Sequence, residues 1–129
     1  MKNYSKIIPV FPLSNFIMFP NTSVPLNIFE PRYIDMINDS MKSEKLIGMI
    51  QPKKDGKLEK FEPELHKIGC LGKITSFKDT EQGNYLIELK GLTRFKIVNE
   101  ITSKRKYRTF EVDYSDFEDD FNNLKENIK

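Results

Sequence analysis

From Ile68 onward the apolar residues of this chain recur at every second position, a period that belongs to strands and not to helices. Ile68, Cys70, Gly72 and Ile74 are expected on one face of a strand, and Leu71, Lys73, Thr75 and Phe77 on the other. The stretch "KDTEQGN" then reads as a hairpin turn, with Gly83 at the left-handed position. Tyr85, Ile87 and Leu89 point one way on the return strand, and Gly91 breaks or bulges it. The alternation resumes through Phe95, Ile97 and Ile101, and again through Phe110, Val112 and Tyr114. A chain whose second half is built this way must close its strands against one another.

The first half adds three shorter strands and a helix. Residues 7–13, "IIPVFPL", are apolar, but Pro9 and Pro12 cannot donate to a ladder, so an edge or irregular strand is expected. "SNFIMFPNTS" reads as a loop, 23–29 as a second strand and 45–51 as a third. Between them Pro31 suits the first turn of a helix, because its missing N–H costs nothing there. That helix is expected to run to about Ser43, with Ile34, Ile37 and Met41 as its apolar stripe and Tyr33 at the edge. Residues 52–64 are polar and read as a surface loop with a turn at Asp55-Gly56. The fold class is therefore mainly β (α+β): a mixed, mostly antiparallel, partly closed barrel with one helix (about 31–43) packed on it. Ser115 to Glu118 matches a capping box. From Phe117 within it, Phe117, Phe121, Leu124 and Ile128 form an apolar helical stripe, so 1–115 is read as the β domain and 116–129 as the start of a short C-terminal helix.

The chemistry that these 129 residues can support is narrow. A net charge of +2 is not the strongly basic footprint of a nucleic-acid binder. Lys104, Arg105, Lys106 and Arg108 form the one dense basic cluster, read as a solvated strand end. One cysteine, Cys70, permits no internal disulfide, and with a single histidine, His66, it cannot make a four-ligand zinc site. No G-x-x-x-x-G-K-[ST], no G-x-G-x-x-G and no G-x-S-x-G is present. No metal, cofactor or catalytic residue is expected. The N-terminus lacks the pattern of a signal peptide and no apolar run reaches membrane-spanning length, so a cytoplasmic protein without membrane contact is expected.

Residues 9–37 resemble the opening of the Lon protease N-terminal domain. The resemblance rests on Phe11-Pro12-Leu13, Met18-Phe19-Pro20, Pro25-Leu26 and the run Ile28-Phe29-Glu30-Pro31-Arg32-Tyr33. Downstream, residues 66–74, residues 83–101 with Gly91, Arg94 and Phe95 in register, and residues 107–114 are similar to later strands of that family. The resemblance implies a PUA-like pseudobarrel and a bacterial, non-catalytic, proteolysis-related module that captures or presents polypeptide segments. The ATPase and Ser-Lys protease modules of Lon proteases have no counterpart in these residues. The chain is most similar to the small stand-alone bacterial proteins built from this domain alone. The family usually continues into a helical bundle, so 116–129 is expected either to begin one in a longer protein, which the unpartnered stripe favours, or to close a minimal product.

Three binding roles follow as alternatives. A polypeptide-binding surface would use Phe16, Ile17, Met18 and Phe19, apolar and adaptable residues in an otherwise polar loop, together with Arg32. Their competing reading is an extra strand tucked into the core. A small-ligand or RNA-binding domain would use the basic cluster, with nucleic acid the less favoured partner at this charge. A self-association module would pair Phe121, Leu124 and Ile128 across a homodimer. The "NIFEPRY" run itself reads mainly as a strand-to-helix corner: Ile28 and Phe29 enter the core, Glu30 sits at the helix N-terminus, and Arg32 faces solvent or a carboxylate.

Overall fold

The structure is a computed structural model and describes residues 4–13, 18–52 and 67–120. Its elements are β1 (Ile7–Pro12), β2 (Ser23–Ile28), α1 (Pro31–Met41), β3 (Leu46–Ile50), β4 (Ile68–Asp79), β5 (Tyr85–Ile101) and β6 (Arg108–Asp113), then a short 3-10 turn at Ser115–Phe117. The strands form one sheet in the order β2-β5-β4-β3-β1-β6. β5 is 17 residues long, enough to take different partners at its two ends. Tyr85–Lys90 pairs with β2, and Lys96–Ile101 pairs with β6. That second pairing closes β5, β4, β3, β1 and β6 into a ring and leaves β2 as a flap outside it. Among the described strands only β1 and β3 run parallel, joined by the β2–α1 crossover that a parallel pair requires. The mixed, mostly antiparallel pseudobarrel is the expected class.

Two cores result. Inside the ring lie Ile8, Val10, Leu46, Ile50, Leu71, Phe95, Phe110 and Val112. The second core joins the outer side of the ring to α1 through Met36, Ile37, Ile47, Met49, Cys70, Ile74, Ile87 and Leu89. β3 serves both, with alternate residues in each, so all five of its residues are buried and apolar or glycine. Phe95 has no exposed surface and fills the ring against bare backbone. A Cβ on Gly69 would stand 2.7 Å from the Phe95 ring and 2.5 Å from the Met49 carbonyl oxygen, so only glycine fits there.

The structure corrects several expectations. β1 is not an edge: it pairs with β6 over Ile7–Val10 and with β3 over Val10–Pro12. Pro9 and Pro12 each fall where the strand has a partner on one side only, which is how two prolines fit an interior strand. α1 ends at Met41, not Ser43, because the Ser43 hydroxyl reaches back to the Asp39 and Ser40 carbonyls at 3.3 and 3.2 Å. Lys45 then turns left-handed (φ +62°) and donates its amide to Ser40 at 2.9 Å. The buried face of α1 is Met36, Ile37 and Ser40, with Tyr33, Ile34 and Met41 half-buried around it. Phe77 lies on the face of Ile74 and Ile87, since an irregularity at Thr75 flips everything after it. The capping box does not form. Asp113 takes that role instead, accepting the Ser115 amide and hydroxyl, each at 3.0 Å. Among the described residues no helix is long and apolar enough to cross a membrane.

Candidate functional site

The approach to β2 is a tight turn. The Thr22 amide and hydroxyl donate to the Phe19 carbonyl at 3.3 and 2.7 Å, Pro20 holds the first central position, and Asn21 has a φ of +69°. Gly91 on β5 receives this turn: its amide donates to Thr22 at 2.8 Å and its carbonyl accepts from Asn21 at 2.9 Å. The Phe19 carbonyl packs where a Gly91 side chain would stand, so the break expected at Gly91 is the seat of the loop. Met18 turns inward and joins the second core at 7% exposure, so it offers no surface to a partner. Phe19 turns outward and is 59% exposed. Phe16 and Ile17 lie outside the described residues, as do Phe121, Leu124 and Ile128.

At the far end of β2 the chain turns into α1. Ile28 is buried, but Phe29 is 64% exposed, against the expectation that both enter the core. Leu26 and Ile28 already share the core side of β2, so strict alternation sends the next residue away from it. That signal was present in the sequence. Glu30 caps α1 through its carbonyl, which accepts the Tyr33 and Ile34 amides at 2.9 Å, while its side chain caps nothing. The carboxylate instead stands 3.7 Å from the Arg32 guanidinium, an exposed pair of about 1 kcal/mol or less. Arg32 also lies 5.4 Å from the centre of the Tyr33 ring, and Tyr33 packs on Phe11 at 4.5 Å. Phe29, Glu30, Pro31 and Arg32 are thus an exposed corner on a rigid footing. Phe19 and Arg32 do not form one cluster. They stand at opposite ends of β2, whose six residues span roughly 20 Å.

The remaining polar groups make structural bonds. Arg94 and Asp120 form a two-pronged pair at 2.9 and 3.1 Å, and the Arg94 amide adds a third bond at 2.9 Å. Burial opposes the charge on Asp120, but these bonds outweigh it and hold the carboxyl below its ordinary range. Arg94 also lies 4.8 Å from the centre of the Phe117 ring, so it fastens the segment after β6 to the barrel. In the basic cluster Arg108 grips Glu100 at 2.8 and 3.0 Å, and Arg105 lies 3.6 Å from Asp39. Those bonds depress the Glu100 carboxyl. Tyr107 donates to Asp39 at 2.6 Å; burial first, and this bond second, push its hydroxyl up to about 12. A cleft of about 380 Å3 opens beside Glu100, Ser103, Arg105 and Tyr107, with two of the four cluster cations already paired on its walls. The Cys70 thiol is buried and pushed up to about 12, chiefly by loss of solvent and then by the negative charge of Asp120. Among the described residues no three His, Cys, Asp or Glu side chains gather as a metal site. Among the exposed large apolar residues, which also include Ile7, Ile68 and Val98, Phe19 and Phe29 are the most exposed and lie on either side of β2.

Sequence comparison decides the family. The model of the ATP-dependent protease La (LON) substrate-binding domain matches residues 7–129. The chain belongs to that family. It is 29% identical over 102 residues to a Lon protease of Flavobacterium johnsoniae, covering 79% of this chain and 12% of that protein. It is 30% identical over 100 residues to Lon protease 1 of Bdellovibrio bacteriovorus, covering 77% of this chain and 12% of that protein. The chain therefore spans about an eighth of the length of the curated relatives that it matches. Two solved structures share the fold. A Lon N-terminal domain protein from Xanthomonas campestris superposes with a TM-score of 0.67 at 24% identity, over 84% of this chain and 59% of that one. The N-terminal domain of a Mycobacterium avium complex Lon protease gives 0.65 at 18%, over 84% and 54%.

Proposed function

We propose that this chain binds other polypeptides through exposed apolar segments and performs no reaction on them. The match to a substrate-binding domain family across residues 7–129 carries this reading. Its physical support is the placement of Phe19 and Phe29, exposed at 59% and 64% at the two ends of a rigid strand. A large ring held in solvent at a turn or a corner contributes nothing to the core beneath it, whereas it can be buried by a partner. Arg32, held over Tyr33 beside Phe29, supplies a polar rim of the sort that surrounds an apolar contact. The partner on this reading is an unfolded or extended segment rich in apolar side chains.

The test is a titration of a fluorescein-labelled, carboxymethylated protein that cannot fold, followed by anisotropy, with the same protein folded as the control. Binding of the unfolded form alone is expected. Phe19→Ser and Phe29→Ser should each weaken it severalfold with the circular dichroism of the chain unchanged, in the range of an interface contact worth about 1 kcal/mol. Equal binding of folded and unfolded forms, or none of either, rejects the reading.

A further inference from the structure

Among the described residues β2 has no strand partner on its outer side along its whole length. It stands at one end of the sheet order and pairs only with β5. The second half of β4, Thr75–Asp79, is also unpaired on one side, but that edge carries an irregularity at Thr75 and the charges of Lys78 and Asp79. Those are the devices by which sheets discourage a further strand. β2 reads Ser-Val-Pro-Leu-Asn-Ile, with no charged residue and an unbroken register against β5. Its one protection is Pro25.

Pro25 also fixes which side of β2 faces outward. Having no N–H, it fits only where the amide side points away from β5. Ser23 and Asn27 share its parity, so the open side presents an amide and a carbonyl at each of them and a lone carbonyl at Pro25. Val24 and Leu26 are half-buried at this edge and packed against the second core, which therefore comes to the surface beside β2. Phe19 and Phe29 are exposed in the segments that lead into and out of this strand.

We propose that β2 accepts a seventh strand: an extended, uncharged segment of another polypeptide, apolar at every second residue. This rests on the reading that the chain binds polypeptides, and it names how. The guest backbone pairs with the open amides and carbonyls of Ser23 and Asn27 and donates once to the Pro25 carbonyl. Its apolar residues continue the face of Val24 and Leu26. A charged residue on that face would lose water without gaining a partner, which restricts the guest to uncharged sequence.

The probe is a labelled seven-residue peptide of alternating serine and valine, with two backbone N-methylated versions, one methylated at the serines and one at the valines. In a strand only one of these sets faces β2. One version is expected to bind about tenfold more weakly than the unmethylated peptide and the other to bind within about twofold of it. The chain variant Pro25→Thr, which restores an outward amide, is expected to bind the unmethylated peptide severalfold more tightly. Peptide binding that ignores the methylation pattern, or a Pro25→Thr chain that binds no better, overturns strand addition and leaves polypeptide recognition standing. Capture of the unfolded protein without capture of the peptide does the same. Loss of both kinds of binding overturns the two together. A homodimer that Pro25→Thr strengthens, with no peptide bound, shows that a second copy covers this edge and also overturns the proposal.

Discussion

Arg94→Ala should destabilise the chain more than Asp120→Ala, although both remove the same ion pair. The two partners stand in different surroundings: the Arg94 side chain is 49% exposed and that of Asp120 is 5% exposed. Without Asp120, the guanidinium keeps much of its water but loses charge-assisted hydrogen bonds, and the Arg94 amide loses its acceptor, a cost of about 1.5–3 kcal/mol. Without the guanidinium, the Asp120 carboxylate stays buried with the Arg94 amide as its main donor, at 2.9 Å. An uncompensated buried charge costs about 3–5 kcal/mol. The segment can escape part of that by lifting off, but it then exposes Phe117, at about 1.5–3 kcal/mol on top of the lost pair. Either route puts Arg94→Ala about 1 kcal/mol or more beyond Asp120→Ala. Urea denaturation followed by circular dichroism at pH 7 reads the difference directly. Acid supplies a second check. The folded carboxyl of Asp120 is held below its ordinary value, so its contribution is complete above the unfolded value, near pH 4, and disappears as pH falls through the folded one. The gap between the parent chain and Asp120→Ala should therefore be flat from pH 7 to about pH 5 and close only below about pH 4. Equal costs for the two variants, or a gap that closes near neutrality, would refute this assignment of the two partners.

Two further outcomes test the packing. Gly69→Ala places a methyl group 2.5 Å from a backbone carbonyl that cannot swing away, so a loss of about 3 kcal/mol in urea denaturation is expected, and a loss under about 1 kcal/mol would mean that the barrel wall yields. Cys70 is 3% exposed with its thiol pushed up to about 12, so Ellman's reagent at pH 8 should label the folded chain slowly and the urea-unfolded chain at once; rapid labelling of the folded chain contradicts that burial.

The strands were legible because alternation over Ile68–Tyr114 leaves no other regular structure open, and Gly83 marked its turn through a left-handed φ of +94°. Gly91, Arg94 and Phe95 carried the family resemblance, and each now has a physical reason: a loop seat, a clamp and the filling of the ring. What escaped the sequence depends on contacts between distant segments. Ring closure rests on β5 pairing with β6 after its partnership with β2 ends, which no local pattern encodes. The face on which Phe77 lies depends on one extra residue at Thr75, and the interior place of β1 on two prolines that each spare a different neighbour. For the candidate surface, Phe19 was readable as an apolar residue in a polar turn. Phe29 is apolar but out of phase with Leu26 and Ile28, and that alternation, not its hydrophobicity, sets its outward direction. The open edge of β2 could not be seen at all until the strand order was known.

Recognition of unfolded polypeptide through the apolar groups at the ends of β2 is open to direct measurement. The quantity to obtain is the affinity of the parent chain, Phe19→Ser and Phe29→Ser for one permanently unfolded labelled protein, with urea stability measured on the same samples. Both substitutions are expected to weaken binding severalfold while moving stability by no more than about 0.5 kcal/mol. Binding that stays unchanged when both phenylalanines are replaced together, with the fold intact, would show that the ends of β2 are not the recognition surface.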